Sequence, residues 1–197
     1  MSRRIVLFSL VSALLGISAA SDLHAAGVSS TVVTTPSVAV VTQRDYRSYA
    51  NEDALTPTSA LAGENVTTSV PVVGTALRLR MNVGAEILPL AAGITLSLQY
   101  ANATSGPWTT LSTSTDWIFF DNPGVADGQI IVTTVLSASD VGESYGESNP
   151  SAASPNALIA GQEGEWDWAI KNNAATASAS WYFRTIYSSG TALDAYT

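Results

Sequence analysis

Apolar residues recur along this chain with a period of two. In Thr75–Val83, Leu77, Leu79, Met81 and Val83 share one parity, and Arg78, Arg80 and Asn82 share the other. Ile94, Leu96, Leu98 and Tyr100 alternate with Thr95, Ser97 and Gln99, and Trp166, Trp168 and Ile170 alternate with Asp167, Ala169 and Lys171. In Ser180–Tyr187, Trp181, Phe183 and Tyr187 take one side, and Tyr182, Arg184 and Ile186 the other. Successive side chains of a strand point to opposite faces, so this alternation predicts strands with one face against a core. Gln129–Leu136 adds a β-branched run of the same kind.

Turn residues punctuate these runs. Thr104-Ser-Gly-Pro107, Asp121-Asn-Pro-Gly124, Asp127-Gly128 and Asn149–Pro155 predict loops, and Ser188-Ser-Gly190 predicts a closing hairpin. Two stretches predict a turn or two of helix: Asp140–Tyr145, with Asp140 and Glu143 at capping-box spacing, and Asp53–Glu64. Many short half-buried strands predict an all-β, antiparallel β-sandwich, with a barrel as the alternative. An outer-membrane barrel needs strands of about ten residues with a lipid-facing band, and these runs are shorter and fewer.

The first 25 residues have the three parts of a secretory signal peptide: Arg3-Arg4, the apolar Ile5–Ala20, and small residues at Ala25-Ala26 for cleavage, with Ala20-Ser21 as the competing point. The apolar run falls short of the roughly 20 residues of a spanning helix, so no membrane span is expected after signal removal. The expected localisation is secreted, extracellular or at the cell surface. Losing Arg3, Arg4 and Asp22 takes the formal net charge from −8 to −9, which predicts no nucleic-acid partner. An exported chain is free to form disulfides, yet this one has no cysteine, so its stability must come from a core. Charged residues make up only 12% of the chain, a composition that lets subunits pack together with little charge repulsion.

Residues 26–42, AGVSSTVVTTPSVAVVT, carry no charge and are rich in Val and Thr. Pro36 restricts such a strand to an edge. Exposed, it is an aggregation hazard unless something pairs with it. Pairing with its own domain, a flexible tether, and donation to the next subunit's sheet through Val32, Val33, Val38, Val40 and Val41 are the three alternatives. The organisation is thus a leader (1–25), an N-terminal strand extension (26–42) and a domain (43–197).

Beyond the leader, whose His24 is the chain's one histidine, neither histidine nor cysteine remains, which removes the commonest acid/base, nucleophilic and metal-binding side chains. The expectation is a protein that is not an enzyme. Glu165 and Asp167 share a strand parity at roughly 7 Å, the spacing of a glycosidase pair, but the simpler reading is a solvated outer face. Lys171 lacks any motif for a Ser-Lys dyad. Asp121, Asp127, Asp140 and Glu143 are calcium candidates, because loop carboxylates supply the oxygens that ion takes; otherwise no cofactor is expected. Trp108, near a turn, and Trp117, in Asp116–Asp121, are candidates for stacking on glycans.

Leu96–Tyr100, a Gly-Pro turn and Trp108–Leu111 resemble the middle hairpin of fibronectin type III modules, and Trp181–Tyr187 resembles their penultimate strand. That resemblance implies a corner pinned by the hydroxyl of Tyr182. A longer series is similar to an uncharacterised Ig/fibronectin type III-like module of bacterial secreted and surface proteins. It runs through Tyr46–Tyr49, Asp53–Pro57, Leu77–Asn82, Ser105–Trp108, Asp121–Pro123, Glu143–Tyr145, Asn149-Pro150, Gly164–Trp168 and Tyr182–Arg184. Such modules occur many per chain, whereas here one copy stands behind a leader and an extension. The resemblance carries no catalytic residue, and it implies an Ig-like or jelly-roll-type sandwich.

Together these features predict a structural subunit whose partners are copies of itself, joined head to tail into a filament, pilus-like fibre or surface layer. A monomeric module binding surface glycans is the alternative.

Overall fold

The computed structural model describes residues 39–196, and they are all-β. The strands are β1 (Val41–Ala50), β2 (Ala76–Ala85), β3 (Leu96–Ala101), β4 (Thr109–Thr110), β5 (Trp117–Phe119), β6 (Val141–Gly146), β7 (Glu163–Asn172), β8 (Tyr182–Tyr187) and β9 (Ala195–Tyr196). One sheet has the order β5-β7-β2-β1-β9, with β6 also pairing β7; a second has the order β4-β3-β8. Most pairs are antiparallel, as expected, but β1 with β9 and β6 with β7 are parallel. The hairpin of β3 and β4 forms, and the chain turns back after β8 through Gly190 N–H to the Tyr187 carbonyl at 2.9 Å.

The apolar parities meet in one core. Leu77, Leu79, Met81 and Val83 of β2 and Trp166, Trp168 and Ile170 of β7 pack with Leu96, Leu98 and Tyr100 of β3. Each such side chain, fully buried, contributes roughly 1.5–3 kcal/mol. Edges are occupied piecemeal. Beyond the two residues of β9, the segment Ser59–Asn65 lies along β1, with Leu61 N–H to the Ser48 carbonyl and Asn65 N–H to the Tyr46 carbonyl, both at 2.9 Å. The Asn149–Ser154 loop runs beside β3, its Asn149 side chain bonding both the N–H and the carbonyl of Leu98.

The second parity of β2 and β7 is buried as well. Arg78, Arg80, Asn82, Glu165 and Asp167 have no solvent exposure. The register sets Arg80 opposite Asp167 and Asn82 opposite Glu165. Arg78 donates through Nε to Asp167 at 3.0 Å and also through Nη2. Arg80 donates to Glu165 at 2.5 Å, and its Nε lies 2.5 Å from Asp167 without hydrogen-bond alignment. Loops close over this lattice because it bonds their backbone. Arg78 takes the carbonyls of Glu52 and Ala54, Arg80 that of Leu55, and Glu165 accepts the N–H groups of Val135 and Leu136. The lattice is thus neutral, two cations against two anions.

Three local expectations fail. Gln129–Leu136 forms an isolated bridge, Ile130 to Ser144, rather than a strand: its first residues bond the backbone of Glu143 and Tyr145, while the Glu165 carboxylate takes the N–H groups of Val135 and Leu136. Asp140–Tyr145 is not a helical turn but falls almost wholly within β6, where Gly142 lets the backbone approach so closely that a Cβ would lie 2.1 Å from the Ile131 carbonyl oxygen. Asp53–Glu64 is irregular, held by Arg78 and by the edge of β1.

Arg80→Ala should destabilise the fold by about 3–5 kcal/mol, because it strands a buried carboxylate. The double replacement Arg80→Met with Glu165→Met should recover only part of that loss, because the Leu55 carbonyl and the Val135 and Leu136 N–H groups then lose their partners. Urea unfolding of the single and double variants measures both; a single variant that unfolds like the wild type would refute the assignment.

Candidate functional site

The sheet of β1, β2 and β7 has two poles, and the chemistry differs between them. Val41 pairs with Ala85 and Ala50 with Leu77, so the first and last pairs of β1 stand about 30 Å apart at roughly 3.3 Å per residue. The chain comes into the first pole. There Glu86 N–H donates to the Val40 carbonyl at 2.9 Å, Val41 N–H donates to Asp194 at 2.7 Å, and Arg44 bridges Glu86 and Glu163. Val41 is fully buried and its neighbour Thr42 pairs with Ala195. These two residues of the extension therefore belong to their own domain's sheet, and Val40 is bonded to it. Val32, Val33 and Val38 lie outside the described residues, as does the leader.

The opposite pole carries an apolar cleft of about 400 Å³, lined by Ala50, Leu61, Val70, Pro71 and Leu77 among others. The sequence from Asn65 to Leu77 has no charged residue. Val72 and Val73 are 77% and 62% exposed beside it. Asn172 fixes this segment from β7: its amide donates to the Pro71 carbonyl, and its own carbonyl accepts from Gly74 N–H, both at 2.7 Å. The peptide N–H groups of residues 67–70, 72 and 73 donate to nothing among the described residues. An apolar cleft bordered by open backbone donors is the surface to which an extended segment can add. Sequence reading missed this pole; the signal is the charge-free Val-Thr-Thr-Ser-Val-Pro-Val-Val at 66–73, similar in composition to the extension itself.

The four calcium candidates do not converge on one point. Asp121 lines a second cleft, of about 470 Å³, with Glu147, Ile118 and Phe119. Asp127 accepts from Glu147 N–H and the Ser148 hydroxyl, and Asp140 accepts from Glu163 N–H. Glu143 lies in the interior, packed where Gly164 has no side chain. Among the described residues no three His, Cys, Asp or Glu side chains gather as a metal site.

Of the glycan candidates, Trp117 is 2% exposed and packs edge-on against Trp181 and Phe183, so it offers no stacking face. Trp108 is half-buried with the Arg184 guanidinium 4.2 Å from its ring centroid. Tyr182 is exposed and its hydroxyl bonds nothing among the described residues, so the corner implied by the fibronectin-like resemblance is not made. Glu165 and Asp167, the glycosidase-spaced pair, are locked to arginines beneath loops instead of facing a cleft.

No protein-family model matches the chain, and no curated protein or solved structure shows significant similarity to it.

Burial pushes the Glu143 carboxyl from its ordinary 4.5 up to about 7, opposed by one N–H from Asn156 at 3.2 Å; its other oxygen has no partner. The folded state therefore holds this proton more tightly than the unfolded chain. The group's contribution to stability is full below pH 4.5, falls as pH rises, and is lost above about 7. Glu143→Gln should stabilise the protein at pH 8, by on the order of 2 kcal/mol, relative to its effect at pH 4. Denaturant unfolding at the two pH values checks this; equal effects at both would contradict it.

Proposed function

We infer that the protein is an exported structural subunit, an Ig-like β-sandwich whose copies join head to tail into an extracellular filament, pilus-like fibre or surface layer. The observation that carries this reading is the opposition of the two poles. The chain enters at one, and the apolar cleft with its open backbone donors lies about 30 Å away at the other. Fourteen residues, 26–39, precede the bonded Val40, and extended they reach about 45 Å. A subunit stacked pole to pole on the next can lay that uncharged segment along residues 67–73 of its neighbour. Main-chain bonds would supply affinity, and alternate valines would enter the cleft. The contact joins two different surfaces, so it leaves a free donor and a free acceptor at the ends and does not close. Val40 and Val41, already engaged in their own domain, anchor the donor rather than donate.

The reading requires no cofactor and no catalytic residue. It accounts for the charge-free pole and the exposed valines, which a monomer would carry as an aggregation hazard.

Electron microscopy of negatively stained protein beginning at Ala26 should show fibres, and protein beginning at Val40 should remain monomeric. Val72→Glu, at an exposed position where stability should change by only about 0.5 kcal/mol, should also abolish fibres. Fibres from the shortened chain would overturn the reading.

A further inference from the structure

The outer face of the three-stranded sheet carries a row of polar and aromatic side chains centred on Arg184. The register places Arg184 of β8 beside Gln99 of β3, and Gln99 beside Thr110 of β4. Arg184 Nε donates to the Gln99 carbonyl oxygen at 2.9 Å, and Gln99 in turn donates to the Thr110 hydroxyl at 3.0 Å. Trp108 stands on one side of the guanidinium, 4.2 Å from its ring centroid, and Tyr196 on another, at 5.4 Å. Tyr196 is itself held by its hydroxyl, which donates to the Thr185 carbonyl at 2.8 Å. Tyr182, two residues before Arg184 on the same face, is 39% exposed.

The guanidinium is therefore fixed at Nε and walled by aromatic rings, yet Nη1 and Nη2 donate to nothing among the described residues. Its situation differs from that of three fellow arginines. Arg44, Arg78 and Arg80 each meet carboxylates. Arg47 gives its Nε to the Ala62 carbonyl and lies over the Tyr49 ring, part of the bonding that holds the loop to β1. Asp194, near Tyr196 in sequence, accepts instead from Val41 N–H. In a chain of net charge −8, this half-buried cation meets no carboxylate among the described residues, while an amide fixes its orientation.

The ligand's chemistry follows from the parts. Two parallel N–H groups of a planar fork match one carboxylate bidentately. A phosphate polyanion such as nucleic acid would need several cations, and the surface supplies one here amid net negative charge. The exposed Tyr182 ring offers an apolar face to the C–H side of a sugar ring, and the second amide hydrogen of Gln99 and the Thr110 hydroxyl are in reach of sugar hydroxyls. We propose that Trp108, Gln99, Arg184, Tyr182 and Tyr196 form a binding site for a carboxylated saccharide, a uronate unit of an acidic polysaccharide. The site lies on the outer face of the sheet and does not depend on whether subunits polymerise.

The test is calorimetric titration of the full chain with a short oligogalacturonate, beside its methyl ester, which keeps the sugar and removes the charge. Binding is expected for the acid and not for the ester. Arg184→Gln should weaken it roughly tenfold or more, the loss of a charge-assisted bond, with thermal unfolding unchanged. Arg184→Lys keeps the charge and loses the fork, so it should also bind more weakly. Failure of the acid to bind, equal binding of acid and ester, or full affinity in a folded Arg184→Lys variant would overturn the proposal. Because the readout is sugar binding, fibres that bind no uronate would sink this site alone, and monomers that bind it would sink only the assembly reading.

Discussion

The ion lattice of Arg78, Arg80, Glu165 and Asp167 is the constraint on which the rest of this structure depends. A strand normally offers one parity to a core and the other to water. Here β2 and β7 bury both, and the second layer is ionic. Removing four charges from water is expensive, and Coulomb attraction alone offsets that only with good geometry and satisfied hydrogen bonds. The register supplies the geometry by placing opposite charges across the strand pair. The loops supply the remaining bonds, giving carbonyls to the arginines and N–H groups to Glu165. Two long irregular segments are thereby tied down in a chain without a disulfide.

This arrangement governs where a partner can reach. The apolar face of the large sheet is core and its polar face is sealed by loops. Ser59–Asn65 and β9 cover the edge at β1. Among the described residues, two surfaces with unspent bonding capacity are the cleft pole with residues 67–73 and the outer face around Arg184. The first fits an extended backbone, the second a carboxylate.

Much of the architecture was legible in the sequence, and the failures share a cause. The faces of β2, β3, β7 and β8 follow from alternation, because apolar burial is a local pattern. The burial of Arg78, Arg80, Glu165 and Asp167 is not local. It needs two strands 80 to 90 residues apart to be neighbours in a particular register. The signal was still present: one strand carries cations at alternate positions and another carries anions. Gln129–Leu136 looked like a strand from its β-branched residues, but a carboxylate on β7 captured its backbone. Glu143 reads in sequence as a capping-box or calcium-binding carboxylate; only the contact with the bare Gly164 shows why it lies inside. Trp117 and Trp108 were equal as candidates by residue type, and packing alone separates them.

In the proposed fibre, one subunit's extension meets the far pole of another. The cysteine-free chain allows a direct measurement: mild oxidation of the double variant Val38→Cys with Val72→Cys, followed by a non-reducing gel. Strand donation between subunits predicts a ladder of covalent dimers, trimers and higher species that collapses on reduction. Monomer-sized product alone, whether cross-linked within one chain or not at all, would contradict it.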